Sequence, residues 1–306
     1  MGTPGLAAHC LKGILEAGFG VVGVVTAPDR PAGRGRKLSQ SPVKALALER
    51  DLPLLQPENL KDPEFIAQLK ALRPTLQVVV AFRMLPEVVW SLPPLGTFNM
   101  HASLLPDYRG AAPINWVLIN GEKKTGVTTF LLDHQIDTGN ILMQKEVPID
   151  PRETAGSLQE KIKAAGTAVV LETIRMLAAG NARPISQSKL IPAGTELHKA
   201  PKIYREDCRI DWSRTAEEVV NLVHGLSPQP GAFCEYDPGN GETLYIKLFE
   251  ATPLPGPHPH KPGKLVTDNK TSLAFAAGDG LVQVDVLQMP GKKPMRTEEL
   301  LRGFQF

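Results

Sequence analysis

Two short apolar runs, VVGVVT (21–26) and LQVVVAF (76–82), constrain this chain more than any other feature. Each is too short and too β-branched for a helix, and each lacks the polar alternation of a half-exposed strand. Such runs read as strands buried on both faces, which requires helices on either side of the sheet. The surrounding sequence supplies those helices. Leu6, Cys10, Leu11, Ile14 and Leu15 have helical spacing that stops at Gly18. Ser41-Pro42 and Asp62-Pro63 each offer an N-cap followed by a first-turn proline, predicting helices through Arg50 and over EFIAQLKAL. TFNMH (97–101) reads as a short strand, and a helix over 113–120 ends at Gly121. Strands near 126–132 and 141–149 and a long helix over 155–179 follow. Strands alternating with helices imply an α/β fold with a mostly parallel sheet, whose ligands bind off the carboxyl ends of its strands.

A chain of 306 residues exceeds what one small core usually covers, so two domains are expected. The texture changes after Gly180. Residues 186–206 are polar and proline-punctuated and read as a linker between a domain over 1–185 and another over 207–306. Thr215 and Glu218 have the spacing of a capping box, for a helix closed by Gly225. Beyond it, AFCEY, LYIKLFEA, KLV, SLAFAA and LVQVDVLQM are five short strands with glycine turns, the pattern of a small β-barrel.

Cys10, Cys208 and Cys234 have neither metal spacing nor a disulfide framework, so three buried thiols in a reducing cytoplasm are expected. No metal-ligand cluster is visible in the sequence. The longest apolar runs fall far short of a membrane span, and residues 1–25 lack a signal peptide's basic start. A net charge of +2 says little until the bases are located. RPAGRGRKLSQSPVK (30–44) carries Arg30, Arg34, Arg36, Lys37 and Lys44 with no acid. It reads either as a solvated basic loop or as a segment that contacts phosphate.

The stretch FNMHASLLPDYRGAAPINW (98–116) carries the chemistry. Strand side chains alternate, so Asn99 and His101 share one face while Phe98 and Met100 take the other. Asp137 lies in LLDHQIDTGN, just past the next apolar strand. If both strands lie in one sheet with their loops on the same side, the three side chains converge. An Asn amide can donate to a developing oxyanion. A His can exchange a proton near neutrality, and a carboxylate can orient and charge it. No Ser or Cys accompanies them in a nucleophile motif, so the set fits direct attack by a substrate amine better than a covalent intermediate. From spacing alone, a structural His, a turn-capping Asn and an ordinary loop Asp remain open.

NMHASLLPDYRGAAPINW, followed by TGVTTF and IDTGNIL, resembles the signature of the folate-dependent formyltransferases. The resemblance extends over nearly the whole chain to the members that act on methionyl-tRNA. It implies a Rossmann-like domain followed by a barrel resembling an OB-fold. It implies transfer of the formyl group of 10-formyltetrahydrofolate to the α-amine of methionine on initiator tRNA, in translation initiation, by a cytoplasmic monomer without a metal. Asn99, His101 and Asp137 fall on the family's catalytic positions, and Ser103, Leu104, Leu105 and Pro106 on its folate-contacting segment. The basic loop falls where members acting on tRNA insert toward the acceptor stem, which makes Arg34, Arg36 and Lys37 the expected phosphate contacts. The alternatives are a formyltransferase or hydrolase using the same folate on a small amine or water, and an RNA-binding relative of weak activity. Three departures stand out. Family members begin with a strand leading into M-G-T-P, where this chain opens, so a gap is expected in the sheet. Asn140 stands where many relatives carry Asp. Phe82-Arg83 stands where many carry Tyr-Gly, beside the expected pterin pocket.

Overall fold

The strands Gln77–Val80, Thr97–His101, Lys124–Leu131 and Ile141–Pro148 are hydrogen-bonded neighbours in that order. In this computed structural model, residues 1–32, 37–191, 194–238, 241 and 243–306 are described. The first pair of strands is parallel, with Val79 opposite Asn99. The next is antiparallel, with Asn99 opposite Phe130 and His101 opposite Thr128. The sheet belongs to a first compact unit comprising 1–110, 125–147 and 160–199.

Local chemistry sets the helices around it. Ser41 Oγ accepts from the Lys44 amide at 3.0 Å, and Asp62 Oδ1 from the Glu64 amide at 2.9 Å. With Pro42 and Pro63 at the first turn, these start the helices Pro42–Glu49 and Pro63–Ala71 where the sequence placed them. Phe98 and Met100 are buried on one face of their strand, and Met100 Cε packs against Gly166 of the helix Ala155–Ala178. Burying each such side chain is worth roughly 1.5–3 kcal/mol. That packing leaves the other face of the strand to Asn99 and His101.

Val24–Val25 pairs in parallel with Leu54–Leu55 as a separate two-stranded sheet. Among the described residues, Met1 and Gly2 lie between it and Gln77–Val80. The Gly2 amide donates to Val25 O at 3.0 Å, and the Val80 amide donates to Met1 O at 3.0 Å. Alongside is a cavity of about 340 Å³ lined by Cys10, Ile14, Val21, Val24, Leu76 and Val78 among others. The run VVGVVT, expected as one buried strand, is therefore a strand only at Val24–Val25, and Val22 is 49 % exposed.

Most described residues of the segment expected as a linker, 186–206, are exposed, and two are buried. Gln187 is 2 % exposed and Ala200 fully buried. The second unit comprises 111–124, 148–159 and 200–306. Its helix Ala216–Gly225 has the capping box read from Thr215 and Glu218. Gly225 is required there, since a Cβ would stand 2.6 Å from Ile119 Cγ1 of the helix Pro113–Ile119. The strands Ala232–Tyr236, Leu244–Pro255, Gly280–Gln288, Leu273–Ala276 and Leu265–Thr267 pair antiparallel in that order. Register shifts between Leu248 and Ala251 help curl this sheet into a half-barrel around Ile246, Leu248, Leu273 and Leu287.

All three thiols are free and buried, and burial pushes Cys10 up to about 11 and Cys234 to about 12. Burial raises the Cys208 thiol as well, which favours the protonated form of all three.

Candidate active site

His101 ends its strand with its side chain almost wholly buried. Its Nε2 lies 2.9 Å from the Tyr108 carbonyl oxygen. A carbonyl only accepts, so Nε2 carries the proton and Nδ1 is the basic nitrogen of the neutral ring. Tyr108 has φ of +57°, which turns that carbonyl toward the imidazole, and its ring stacks on His198 at 5.1 Å. The DYRG turn after the strand therefore selects the tautomer of His101.

Asp137 Oδ2 stands 3.8 Å from His101 Nδ1 and accepts from the Gly110 amide at 3.1 Å. The geometry is that of a carboxylate poised to stabilise a protonated ring rather than one bonded to the neutral ring. Asn99, half-buried, lies on the same strand face, about 7 Å along the chain from His101. The structure thus brings His101 and Asp137 together, but by a route the sequence argument missed. The strand Lys124–Leu131 runs antiparallel, so its last residue sits opposite Phe98 rather than beside His101. The loop 132–140 must double back. Asp137 takes a left-handed φ of +56°, and Gly139 passes so close that a Cβ would be 1.7 Å from Leu131 O.

The segment Ser103 to Pro106 is anchored from within. Thr128 Oγ1 donates to Ser103 O at 2.7 Å and accepts from the Leu105 amide at 3.1 Å. Gln144 Nε2 donates to Leu105 O at 2.7 Å, and Ser103 Oγ to Asp107 O at 2.7 Å. Ser103, Leu105 and Pro106 are buried, and only Leu104 is half-buried. The side chains of Ser103 and Leu105 are thus spent on shaping the segment, leaving Leu104 as its accessible surface.

Arg83 bridges the carbonyls of Pro57 and Glu58 and lies over the Phe82 ring at 5.6 Å. Burial and the charge of Arg30 lower its pKa. Arg30–Ala32 and Lys37–Ser39 pair antiparallel, so the basic segment has the arms of a hairpin. Lys37 opens its second arm, while Arg34 and Arg36 lie outside the described residues.

Sequence reasoning missed Gln187, Arg109 and Thr128. Gln187 comes from a stretch without periodicity, and Arg109 was visible only as part of a turn.

Residues 2–174 match the formyl transferase family, and residues 202–305 match the formyl transferase C-terminal domain. The chain is similar to the methionyl-tRNA formyltransferase of Bacteroides fragilis, with 51% identity over 99% of this chain and 94% of that protein. The methionyl-tRNA formyltransferase of Flavobacterium johnsoniae is 48% identical over 100% of this chain and 95% of its own length. Among solved structures, the sugar 3N-formyl transferase WlaRD superposes with a TM-score of 0.64 at 18% identity, over 95% of this chain and 97% of that one. HypX from Aquifex aeolicus, solved with tetrahydrofolic acid, gives 0.58 at 21% identity, over 83% of this chain and 43% of that one. With one family match over 2–174, a second over 202–305 and relatives alike over nearly the whole chain, the chain belongs to the formyl transferase family.

Proposed function

We propose that this protein transfers the formyl group of 10-formyltetrahydrofolate to the α-amine of methionine on initiator methionyl-tRNA, acting as a cytoplasmic monomer. The observation that carries the reading is that similarity to methionyl-tRNA formyltransferases spans both units, not the catalytic segment alone. No described helix is long and apolar enough to cross a membrane.

The neutral amine attacks the formyl carbon. A C–N bond to methionine forms, and the bond from that carbon to folate N10 breaks. The Asn99 amide donates to the tetrahedral oxyanion, and such a donor is commonly worth about 10²–10³ in rate. His101 takes the amine proton on Nδ1 and returns it to N10. Its Nε2–H stays on Tyr108 O throughout, so the ring keeps its orientation while its charge changes. Asp137 stabilises the charged ring. Leu104, with the backbone of the Ser103-to-Pro106 segment, forms the wall against which the pterin rests. Arg34, Arg36 and Lys37 take the tRNA phosphates. A metal has no part in this reading.

Formylation of methionyl-tRNA by purified protein, with and without His101→Ala and Asn99→Ala, tests it. The expected result is robust transfer by the parent and a loss of about 10²–10⁴ in kcat for the His101 variant. An unchanged rate in His101→Ala removes the mechanism. Turnover of 10-formyltetrahydrofolate without transfer to tRNA favours a hydrolase.

A further inference from the structure

We propose that Gln187 is a positioning residue for formyl transfer, holding the Asp137 loop against the turn that carries His101's hydrogen-bond partner. The proposal rests on the assignment of Asp137 to that reaction. Gln187 is 2 % exposed and comes from the segment between the two family matches. Its Oε1 accepts from Arg109 Nε at 3.1 Å and from Arg109 Nη2 at 2.5 Å. Its Nε2 donates to Asp137 O at 2.9 Å and to Gly139 O at 2.9 Å. Both lone-pair sites of the oxygen and both hydrogens of the nitrogen are used.

Those partners leave no freedom in the choice of side chain. A guanidinium only donates and a carbonyl only accepts, so the site needs two acceptor positions on one side and two donors on the other. Only a primary amide supplies both, and Gln has the reach. One side chain therefore ties residue 109, next to the Tyr108 carbonyl that holds His101, to residues 137 and 139 of the returning loop. The Gly110 amide closes the circle by donating to Asp137 Oδ2. Without the amide, the loop keeps that bond but loses both of its carbonyl anchors. Asp137 holds a left-handed backbone that relaxes once released.

Gln187→Ala removes the clamp. Gln187→Glu keeps the acceptors for Arg109, and hence an ion pair that supports folding, but loses both donors to the loop. Both variants are to be measured for kcat and KM on methionyl-tRNA, alone and combined with Asp137→Ala, and Gln187→Glu crystallised. The expected result is a fall in kcat of about 10- to 100-fold in either variant, as for an ångström-scale misplacement, with KM for both substrates little changed. In the Asp137→Ala background the same changes should cost less than about 2-fold, because their effect passes through Asp137. The crystal structure should show Asp137 Oδ2 withdrawn from His101 Nδ1. An unchanged kcat, a full additional loss in the Asp137→Ala background, or an unmoved Asp137 would each overturn the proposal. A parent protein that formylates no tRNA would instead remove the functional reading, and the position of Asp137 in the variant crystal would still decide the role of Gln187.

Discussion

His101 Nδ1 and Asp137 Oδ2 stand 3.8 Å apart, on a strand end and a loop separated by an antiparallel strand. The carboxylate acts on the charged imidazole and spares the neutral one, so its contribution is confined to the steps in which the ring holds a proton. Asp137→Asn can keep the bond from the Gly110 amide while removing the charge. A fall in kcat of about 10² or more, with the fold unchanged by circular dichroism, is expected. Activity within 2-fold of the parent, about 0.4 kcal/mol, would show that the charge is idle.

Thr128 Oγ1 is the joint on which the segment from Ser103 to Leu105 hangs, with Gln144 Nε2 as a third partner at 3.0 Å. Thr128→Val matches the shape but leaves the buried Leu105 amide and Ser103 carbonyl without it. A loss of about 1–3 kcal/mol in urea unfolding is expected. In steady-state kinetics, KM for the formyl donor should rise more than kcat falls. Equal stability and equal KM would show that the segment holds itself.

In the second unit, His224 is buried, and its Nε2 accepts from the Ala251 amide at 3.3 Å. Burial first and the charge of Arg152 second lower its pKa, against a weaker opposing effect of Asp285. The unfolded chain takes up the proton at the usual value near 6.5 and the folded chain only below it. As pH falls through that interval the unfolded state binds more protons, so stability declines toward acid. His224→Gln, which retains an acceptor for Ala251, should flatten the dependence of Tm between about pH 7 and 5.5. A slope identical to the parent's would locate the acid sensitivity elsewhere.

The basic segment offers a purely electrostatic test. Arg36→Ala with Lys37→Ala should weaken tRNA binding and reduce the slope of log K against log salt by roughly 0.7–0.9 for each phosphate no longer neutralised. Fluorescence anisotropy across a salt series measures it. An unaltered slope would clear both residues.

Much of the scaffold was legible because its signals are local. Ser41 and Asp62 cap their helices through bonds spanning two or three residues, and Thr215 with Glu218 does the same. Thr97–His101 matched its run because alternation is a property of the strand itself. VVGVVT is a strand only at Val24–Val25, because a strand is a property of two segments and the ladder extends only as far as the pairing with Leu54–Leu55. The polar stretch around Gln187 gave no periodicity, since its role lies in hydrogen bonds to residues 48 to 78 positions away.

By itself, then, the amino-acid order determined where the capped helices start, that Asn99 and His101 face the same way, and which motif they belong to. The tertiary structure decided how Asp137 arrives. It reaches His101 through an antiparallel strand and a loop that folds back, held by an amide from a segment that reads as a tether. The difference is one of range. Propensity, capping and alternation act within a few residues, whereas strand direction and loop closure are set by pairings between distant segments that only the packed sheet selects.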